Sequence, residues 1–128
     1  MTRPKNQPAS QKYIVHMAHA EAWEEAQRTG SYTSDTLQTN GFIHLSKPEQ
    51  LLGVANSATN PFLQMNDLVL LYIDPTKLQA ELRYEIPEGE QEAYPHLYGV
   101  LTTATVVKSI PFTPQANGLY SLPPDLAE

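Results

Sequence analysis

The strongest constraint on the fold is the segment DLVLLYIDP, residues 67–75, in which six consecutive apolar residues lie between two aspartates. A continuous apolar run of this length, rich in branched and aromatic side chains, predicts a β-strand that is buried on both faces. Other elements of the chain must therefore cover this strand from both sides.

Shorter patterns predict the other elements. YIVHM (13–17) and GFIHLS (41–46) are each typical of a short strand, and EAWEEAQRTG (21–30) places Trp23 and Ala26 at helical spacing. Further strands are predicted at AELRYEI, HLYGVL and ATVVKSI. Because helices come early and strands cluster late, the pattern favours an α+β fold over a doubly wound sheet.

A second helix is predicted directly after GFIHLS. Ser46 and Glu49 have the spacing of a capping box, and Pro48 suits a first helical turn, whose amides have no intrahelical partner. The apolar face of this helix would comprise Leu51, Leu52, Ala55 and Ala58, and Asn60-Pro61 would end it.

The chain of 128 residues predicts a single globular domain over residues 13–110. Residues 1–12 are polar and are predicted to be a disordered tail. Residues 111–128 carry four of the eleven prolines and are predicted to be a second tail. Since no apolar run approaches membrane-spanning length and the amino terminus has no hydrophobic stretch, no membrane association is expected and the cytoplasm is the default location.

Charge argues against a polyanionic partner. Between Tyr13 and Ile110 the chain has five lysines and arginines and twelve aspartates and glutamates, a net charge near −7. Nucleic-acid binding depends on cationic groups that neutralise phosphates, so the charge argues against nucleic acid as a partner. A small-molecule ligand remains compatible with this charge, and the oligomeric state stays open.

Three histidines, His16, His44 and His96, lie in predicted strands, and His19 lies just past the first strand. Alternation along GFIHLS predicts that His44 points to the same strand face as Phe42. A single histidine in a strand is usually structural, but three in so short a chain favour a site, because imidazole suits proton transfer near neutral pH. Glu85 shares a strand face with Arg83, so it is either half of a surface ion pair or a carboxylate facing the same cleft.

The segment YPHLYG places Tyr94, His96 and Tyr98 on one face of a strand, and Gly99 allows close backbone approach. Such aromatic residues either belong to the core or stack on a planar ring of a ligand. The sequence contains no phosphate-binding glycine loop, and its histidine spacings match no metal-site signature, so no metal ligands are assigned.

YIVH, the helix with Trp23, GFIHLS, LVLLYIDPTKL and PHLYG together resemble a small, mostly bacterial family, the domain of unknown function 952 family. This family is in turn similar to the ADP-ribosyltransferase fold, and most of all to the RNA 2′-phosphotransferases. The resemblance implies a split, two-sheet, antiparallel-rich core with two early helices and a cleft that binds NAD.

The resemblance also implies roles for individual residues. His16 would contact the ribose hydroxyls, Tyr98 would stack on a ring of NAD beside His44, and Glu85 or His96 would stabilise the ribosyl cation or activate the acceptor. The predicted catalytic set is His16, His44, Glu85 and His96. The predicted NAD-binding set is His16, Ser46, Arg83, Tyr94 and Tyr98. In the ADP-ribosyltransferase fold a late motif often carries glutamate, and His96 takes that place here, which puts ordinary protein ADP-ribosylation in doubt. The phosphotransferases use several arginines for the RNA phosphate. Residues 13–110 contain only the arginines Arg28 and Arg83, which puts an RNA substrate in doubt as well.

The function expected from the sequence is therefore a small ADP-ribosyltransferase-like enzyme that acts on NAD or an ADP-ribosyl compound, with an unknown acceptor. Two alternatives remain. One is a nucleotide-binding module without catalysis. The other is a metal-dependent hydrolase that uses His16, His44, His96 and Glu85.

Overall fold

The structure is a computed structural model that describes residues 13–57 and 67–124. Its helices and strands follow one another along the chain as β1 (Ile14–His19), α1 (Ala20–Thr29), β2 (Ser31–Tyr32), α2 (Asp35–Asn40), β3 (Ile43–His44), α3 (Leu51–Ala55), β4 (Leu68–Ile73), β5 (Glu81–Glu85), β6 (Tyr94–Tyr98), β7 (Leu101–Thr102) and β8 (Val106–Pro111). Short 3-10 turns at Pro48–Gln50, Pro75–Lys77 and Thr103–Thr105 connect some of these elements. No helix in the described ranges is both long enough and apolar enough to cross a membrane.

The long apolar run forms β4, the central strand of a three-stranded antiparallel sheet in the order β1-β4-β8. Alternate residues of β4 enter two different hydrophobic clusters, Leu71 and Ile73 on one side and Leu70 and Tyr72 on the other. All four are almost fully buried. The prediction of a strand buried on both faces is therefore confirmed.

A second antiparallel sheet has the order β3-β6-β5, and β2 pairs with β7. Ile43 of β3 and Leu97 of β6 face each other and are fully buried in the same cluster as Leu71. The main chains of Val15 and Ser46 exchange two hydrogen bonds of 2.9 Å, which join β1 to the end of β3. The fold is α+β with antiparallel sheets, as predicted, and the finer ADP-ribosyltransferase-like assignment stays a prediction.

The predicted capping box at Ser46 and Glu49 is wrong. The 3-10 turn starts at Pro48, and the Lys47 amide donates to Oε1 of Gln50 at 3.0 Å. The N-cap position is Lys47 and the N3 position is Gln50, whereas the backbone of Ser46 pairs with Val15. Helix α3 ends at Ala55, and the predicted positions Ala58 and Asn60-Pro61 lie outside the described residues.

Several other elements differ from the sequence-based expectation. Strand β1 continues to His19, which was expected just beyond the strand, because β1 pairs with β4 along its whole length. The six-residue helix α2 was not predicted.

The segment after Ile110, expected to be a tail, contributes to the fold. Phe112 and Tyr120 stack at a centroid separation of 4.6 Å and are buried in the cluster that contains Tyr72. Asn56 ties this segment to α3, because its side chain accepts from the Tyr120 amide at 2.7 Å and donates to the Tyr120 carbonyl at 3.1 Å. The folded unit thus extends past residue 110, while the predicted tail 1–12 lies outside the described residues.

Candidate functional site

A cleft of about 790 Å³ opens between the two three-stranded sheets. Its walls come from β1, β3, α3 and β6, together with the residues around β2 and the loop after β5. This volume lies within the range of ordinary small-molecule sites. The bridge between Val15 and Ser46 joins the sheets here, so the strand that carries His44 also forms part of the wall.

His96 is the most constrained of the histidines that line the cleft. It is only 4% exposed, its Nδ1 lies 2.8 Å from Oε1 of Glu85, and its ring stacks on Phe42 at 4.0 Å. An ionised carboxylate can only accept, so Nδ1 carries the proton and donates to Glu85. In the neutral ring Nε2 is then a lone-pair acceptor, and no described residue bonds to it.

Glu85 lies behind His96, away from the cleft lining. Its Oε1 also accepts from the Tyr98 hydroxyl at 2.6 Å, and the Arg83 guanidinium lies 4.0 Å from Oε2. The hydrogen bond from Tyr98, then that from His96, hold the pKa of Glu85 below its usual value. Glu85 is therefore ionised at neutral pH and orients the imidazole.

His44 faces His96 across the β3–β6 pair, and their ring centroids are 5.4 Å apart. The ring centroids of Phe42 and His44 are 4.7 Å apart, which agrees with the prediction that alternation puts both side chains on one face of the strand. Loss of hydration, then repulsion from His96, lowers the pKa of His44. His44 is thus neutral at physiological pH and presents one donor and one acceptor.

His16 has both ring nitrogens engaged by the protein. Nδ1 lies 2.7 Å from the His44 carbonyl and must donate to it, so Nε2 accepts from the Tyr32 hydroxyl at 2.8 Å. Burial is the main reason that the pKa of His16 falls from 6.5 to about 4. His16 therefore stays neutral and anchors β2 and β3, and the expected ribose contact has no free nitrogen to use.

The structure brings together five of the predicted site residues, which line the cleft: His16, His44, Ser46, Tyr94 and His96. Glu85 reaches the site through its bond to His96. Arg83 and Tyr98 lie on the same face of the sheet but do not line the cleft, because Arg83 pairs with Glu81 at 2.8 Å and packs 4.5 Å above the Tyr98 ring.

Sequence reasoning missed several contacts that build the cleft, although it placed Phe42 on the same strand face as His44. Tyr32 holds His16, Phe42 packs on His96, and His19 lines the wall while its Nδ1 lies 2.9 Å from Asp67. The alternation of GFIHLS was a signal for Phe42, since it shares a strand face with His44. No comparable signal marks Tyr32, whose strand has only two residues.

Among the described residues, no three histidine, aspartate or glutamate side chains are arranged to hold a metal ion. The alternative of a metal-dependent hydrolase thus has no ligand set within residues 13–57 and 67–124. His96 instead bonds to a carboxylate, and His16 bonds to a carbonyl and a phenol.

Comparisons with known proteins give a family and a fold neighbour. A family model described as "Protein of unknown function (DUF952)" matches residues 17–109. The crystal structure of protein CC0527 from Caulobacter crescentus is 29% identical, with a TM-score of 0.79 over 91% of this chain and 99% of that one. The solution NMR structure of CC0527 is also 29% identical, with a TM-score of 0.76 over 91% of this chain and 97% of that one. No curated protein matches the sequence significantly.

Proposed function

The chain belongs to the DUF952 family, and from that premise we propose that its cleft is the active site of a small transferase that acts on NAD or another ADP-ribosyl compound. The observation that carries the proposal is the pairing of His96 with Glu85, whose atoms Nδ1 and Oε1 are 2.8 Å apart. A buried imidazole that is oriented by a carboxylate and lines a cleft is the arrangement expected of a general base.

The proposed reaction transfers a ribosyl group. The bond between the ribose anomeric carbon and the nicotinamide nitrogen breaks, and nicotinamide leaves as a neutral molecule. An acceptor hydroxyl or amine forms the new bond to that carbon, and its proton passes to Nε2 of His96. Glu85 stabilises the imidazolium that results, because its carboxylate already accepts from Nδ1.

Other residues of the cleft suit this ligand. His44 is neutral, so its ring offers a hydrogen-bond donor and an acceptor to ribose hydroxyls. Tyr94 lines the same wall as His96 two residues earlier on β6 and offers an aromatic face to a planar ring. Ser46, two residues after His44 along the chain, lines the cleft as well and presents a hydroxyl.

The test is release of nicotinamide from NAD by the purified full chain, followed by chromatography over a long incubation. His96→Gln removes the base and should slow release by about 10²- to 10⁴-fold. Glu24→Gln is the matched control, because Glu24 is exposed on α1 and does not line the cleft. Melting curves show whether each variant is folded. If the wild-type chain releases no nicotinamide and millimolar NAD leaves its thermal midpoint unchanged, the proposal is wrong.

A second candidate is a nucleotide-binding module without catalysis. The observation that favours it is the engagement of both His16 nitrogens, which gives a predicted catalytic histidine a purely architectural role. Ligand that binds only the folded state raises stability by RT ln(1 + [L]/Kd). A rise in thermal midpoint with NAD, without nicotinamide release, would select this candidate over the transferase.

A further inference from the structure

The rim of the cleft is acidic. Glu88 and Glu90, in the loop between β5 and β6, line it on the side of Tyr94 and His96. No lysine or arginine occurs among the described residues that line the cleft. The carboxylates therefore set the sign of the fixed charge that a ligand meets there.

Two of the cleft histidines add no positive charge to it, and the other two, His19 and His96, each bond to a carboxylate. His16 has a pKa of about 4, chiefly because it is buried, and the pKa of His44 is also lowered. Both rings are therefore uncharged at neutral pH. Fields from like-charged groups add in a cleft with low-dielectric walls, so an anionic ligand is repelled and a cationic one is attracted.

Two polar groups with little exposure are available to a ligand in the cleft. Ser46 is 7% exposed and His96 is 4% exposed, and both line the cleft. Within the described part of the chain, the Ser46 hydroxyl has no hydrogen-bond partner, and His96 bonds only through Nδ1. Every fully enclosed polar side-chain atom in that part of the chain does have a partner, so neither of these two atoms is fully enclosed, and both belong to residues of the cleft wall. Polar atoms normally find partners, and here a polar ligand or water can supply them.

The aromatic residue next to the acidic rim is Tyr94. Its hydroxyl donates to Oε1 of Glu90 at 3.5 Å, which keeps a carboxylate beside an aromatic ring at the cleft wall. An aromatic face and a nearby carboxylate are the two groups that attract a flat organic cation, the first through its quadrupole and the second through its charge.

We infer that the cleft selects a ring-bearing organic cation of the N-ribosyl pyridinium class. Ligands whose part inside the cleft is neutral or negatively charged should bind more weakly. The inference rests on the proposed function and specifies its substrate class: the cationic riboside end enters the cleft, and any phosphates stay outside the rim formed by Glu88 and Glu90.

The test compares two ligands of nearly the same shape. Nicotinamide riboside carries one positive charge, whereas nicotinic acid riboside adds a carboxylate and has no net charge. Isothermal titration of the full chain at low ionic strength should show nicotinamide riboside binding at least about threefold more tightly, and ADP-ribose binding most weakly. In the double variant Glu88→Gln, Glu90→Gln the preference should fall to within about twofold, since each exposed carboxylate contributes only a modest screened attraction. Glu24→Gln, a neutralised carboxylate outside the cleft, should keep the wild-type preference.

Equal binding of the two ribosides by the wild-type chain, or tighter binding of ADP-ribose, would overturn the inference. The same holds if neither riboside binds at millimolar concentration, or if the double variant keeps the full preference. The proposed function fails separately: a chain that prefers the cation but releases no nicotinamide from NAD supports the inference and contradicts the transferase. A chain that turns over NAD without the preference supports the transferase and contradicts the inference.

Discussion

Glu85 and His96 lie on neighbouring strands, and Oε1 of Glu85 is 2.8 Å from Nδ1 of His96. They are not opposite each other in the register, because His96 pairs with Arg83 and Glu85 pairs with Tyr94. The carboxylate therefore reaches diagonally across the pair, where it also accepts from Tyr98. This geometry ties the ionised carboxylate to the nitrogen of His96 that carries the proton.

The substitution Glu85→Gln tests that relationship. The amide side chain would retain an oxygen for Nδ1 of His96 but lose the charge that stabilises the imidazolium. The rate of nicotinamide release should therefore fall by at least about tenfold, with a larger change in kcat than in KM. Glu81→Gln is the matched control, since Glu81 lies on the same strand and bonds Arg83 instead of His96. A loss of the same size in both variants would show that Glu85 acts only through the stability of the sheet.

The second prediction concerns acid stability. Because the pKa of His16 is about 4 in the folded chain and 6.5 when unfolded, the unfolded state takes up the proton first as the pH falls. His16 thus makes the folded state lose on the order of 2 kcal/mol between about pH 7 and pH 5. Urea unfolding at both pH values measures this loss, and His16→Gln should reduce it while lowering stability at neutral pH. Equal losses in the two proteins would contradict the assigned burial of His16.

Much of the fold could be predicted because its strongest signals are local. The run LVLLYI predicted β4 as a strand buried on both faces. Six consecutive apolar residues place three apolar side chains on each face of a strand, so neither face is suited to solvent. Alternation placed Phe42 with His44, and Tyr94 with His96, on shared faces. These patterns depend only on the period of a strand, so they can be read without knowledge of the tertiary structure.

The parts of the site that could not be predicted from the sequence depend on contacts between distant segments. Tyr32 and His16 are 16 residues apart in sequence, with α1 between their strands, and neither strand carries a pattern that predicts their hydrogen bond. Glu88 and Glu90 line the rim of the cleft from an irregular loop, and such a loop has no periodicity from which their position could be predicted. The C-terminal segment is rich in proline, yet two aromatic side chains are enough to bury part of it against the core.

The third prediction tests the close packing at the end of β6. A Cβ added at Gly99 would lie 2.7 Å from the Cβ of Ala80, closer than two carbon atoms can approach without movement. Gly99→Ala should therefore cost about 1–3 kcal/mol in the free energy of unfolding, as overpacking does elsewhere. Gly53→Ala is the control, because nothing lies within 4 Å of an added Cβ there. Thermal or urea unfolding compares the two, and equal stability would mean that Ala80 moves away freely.

The last prediction compares the structural role of Gln50 with that of Ser46. Ser46 was predicted from the sequence to be the helix cap, and that prediction is wrong. Gln50 is buried, its Oε1 accepts from the Lys47 amide at 3.0 Å, and its Nε2 donates to Glu92 at 2.7 Å and to the Ala93 carbonyl at 2.8 Å. One side chain therefore holds the start of the 3-10 turn and the loop that leads into β6.

Gln50→Ala leaves the Lys47 amide and the Ala93 carbonyl without their partner, so it should lower the free energy of unfolding by about 1–3 kcal/mol. Ser46→Ala removes a hydroxyl that has no partner among the described residues, so the change should stay within about 0.5 kcal/mol. The two variants are compared by urea unfolding, with binding of nicotinamide riboside measured on each. Ser46→Ala should weaken that binding without loss of stability, because its hydroxyl lines the cleft. If Ser46→Ala destabilises the chain as much as Gln50→Ala does, the serine acts as a structural cap and not as a ligand contact.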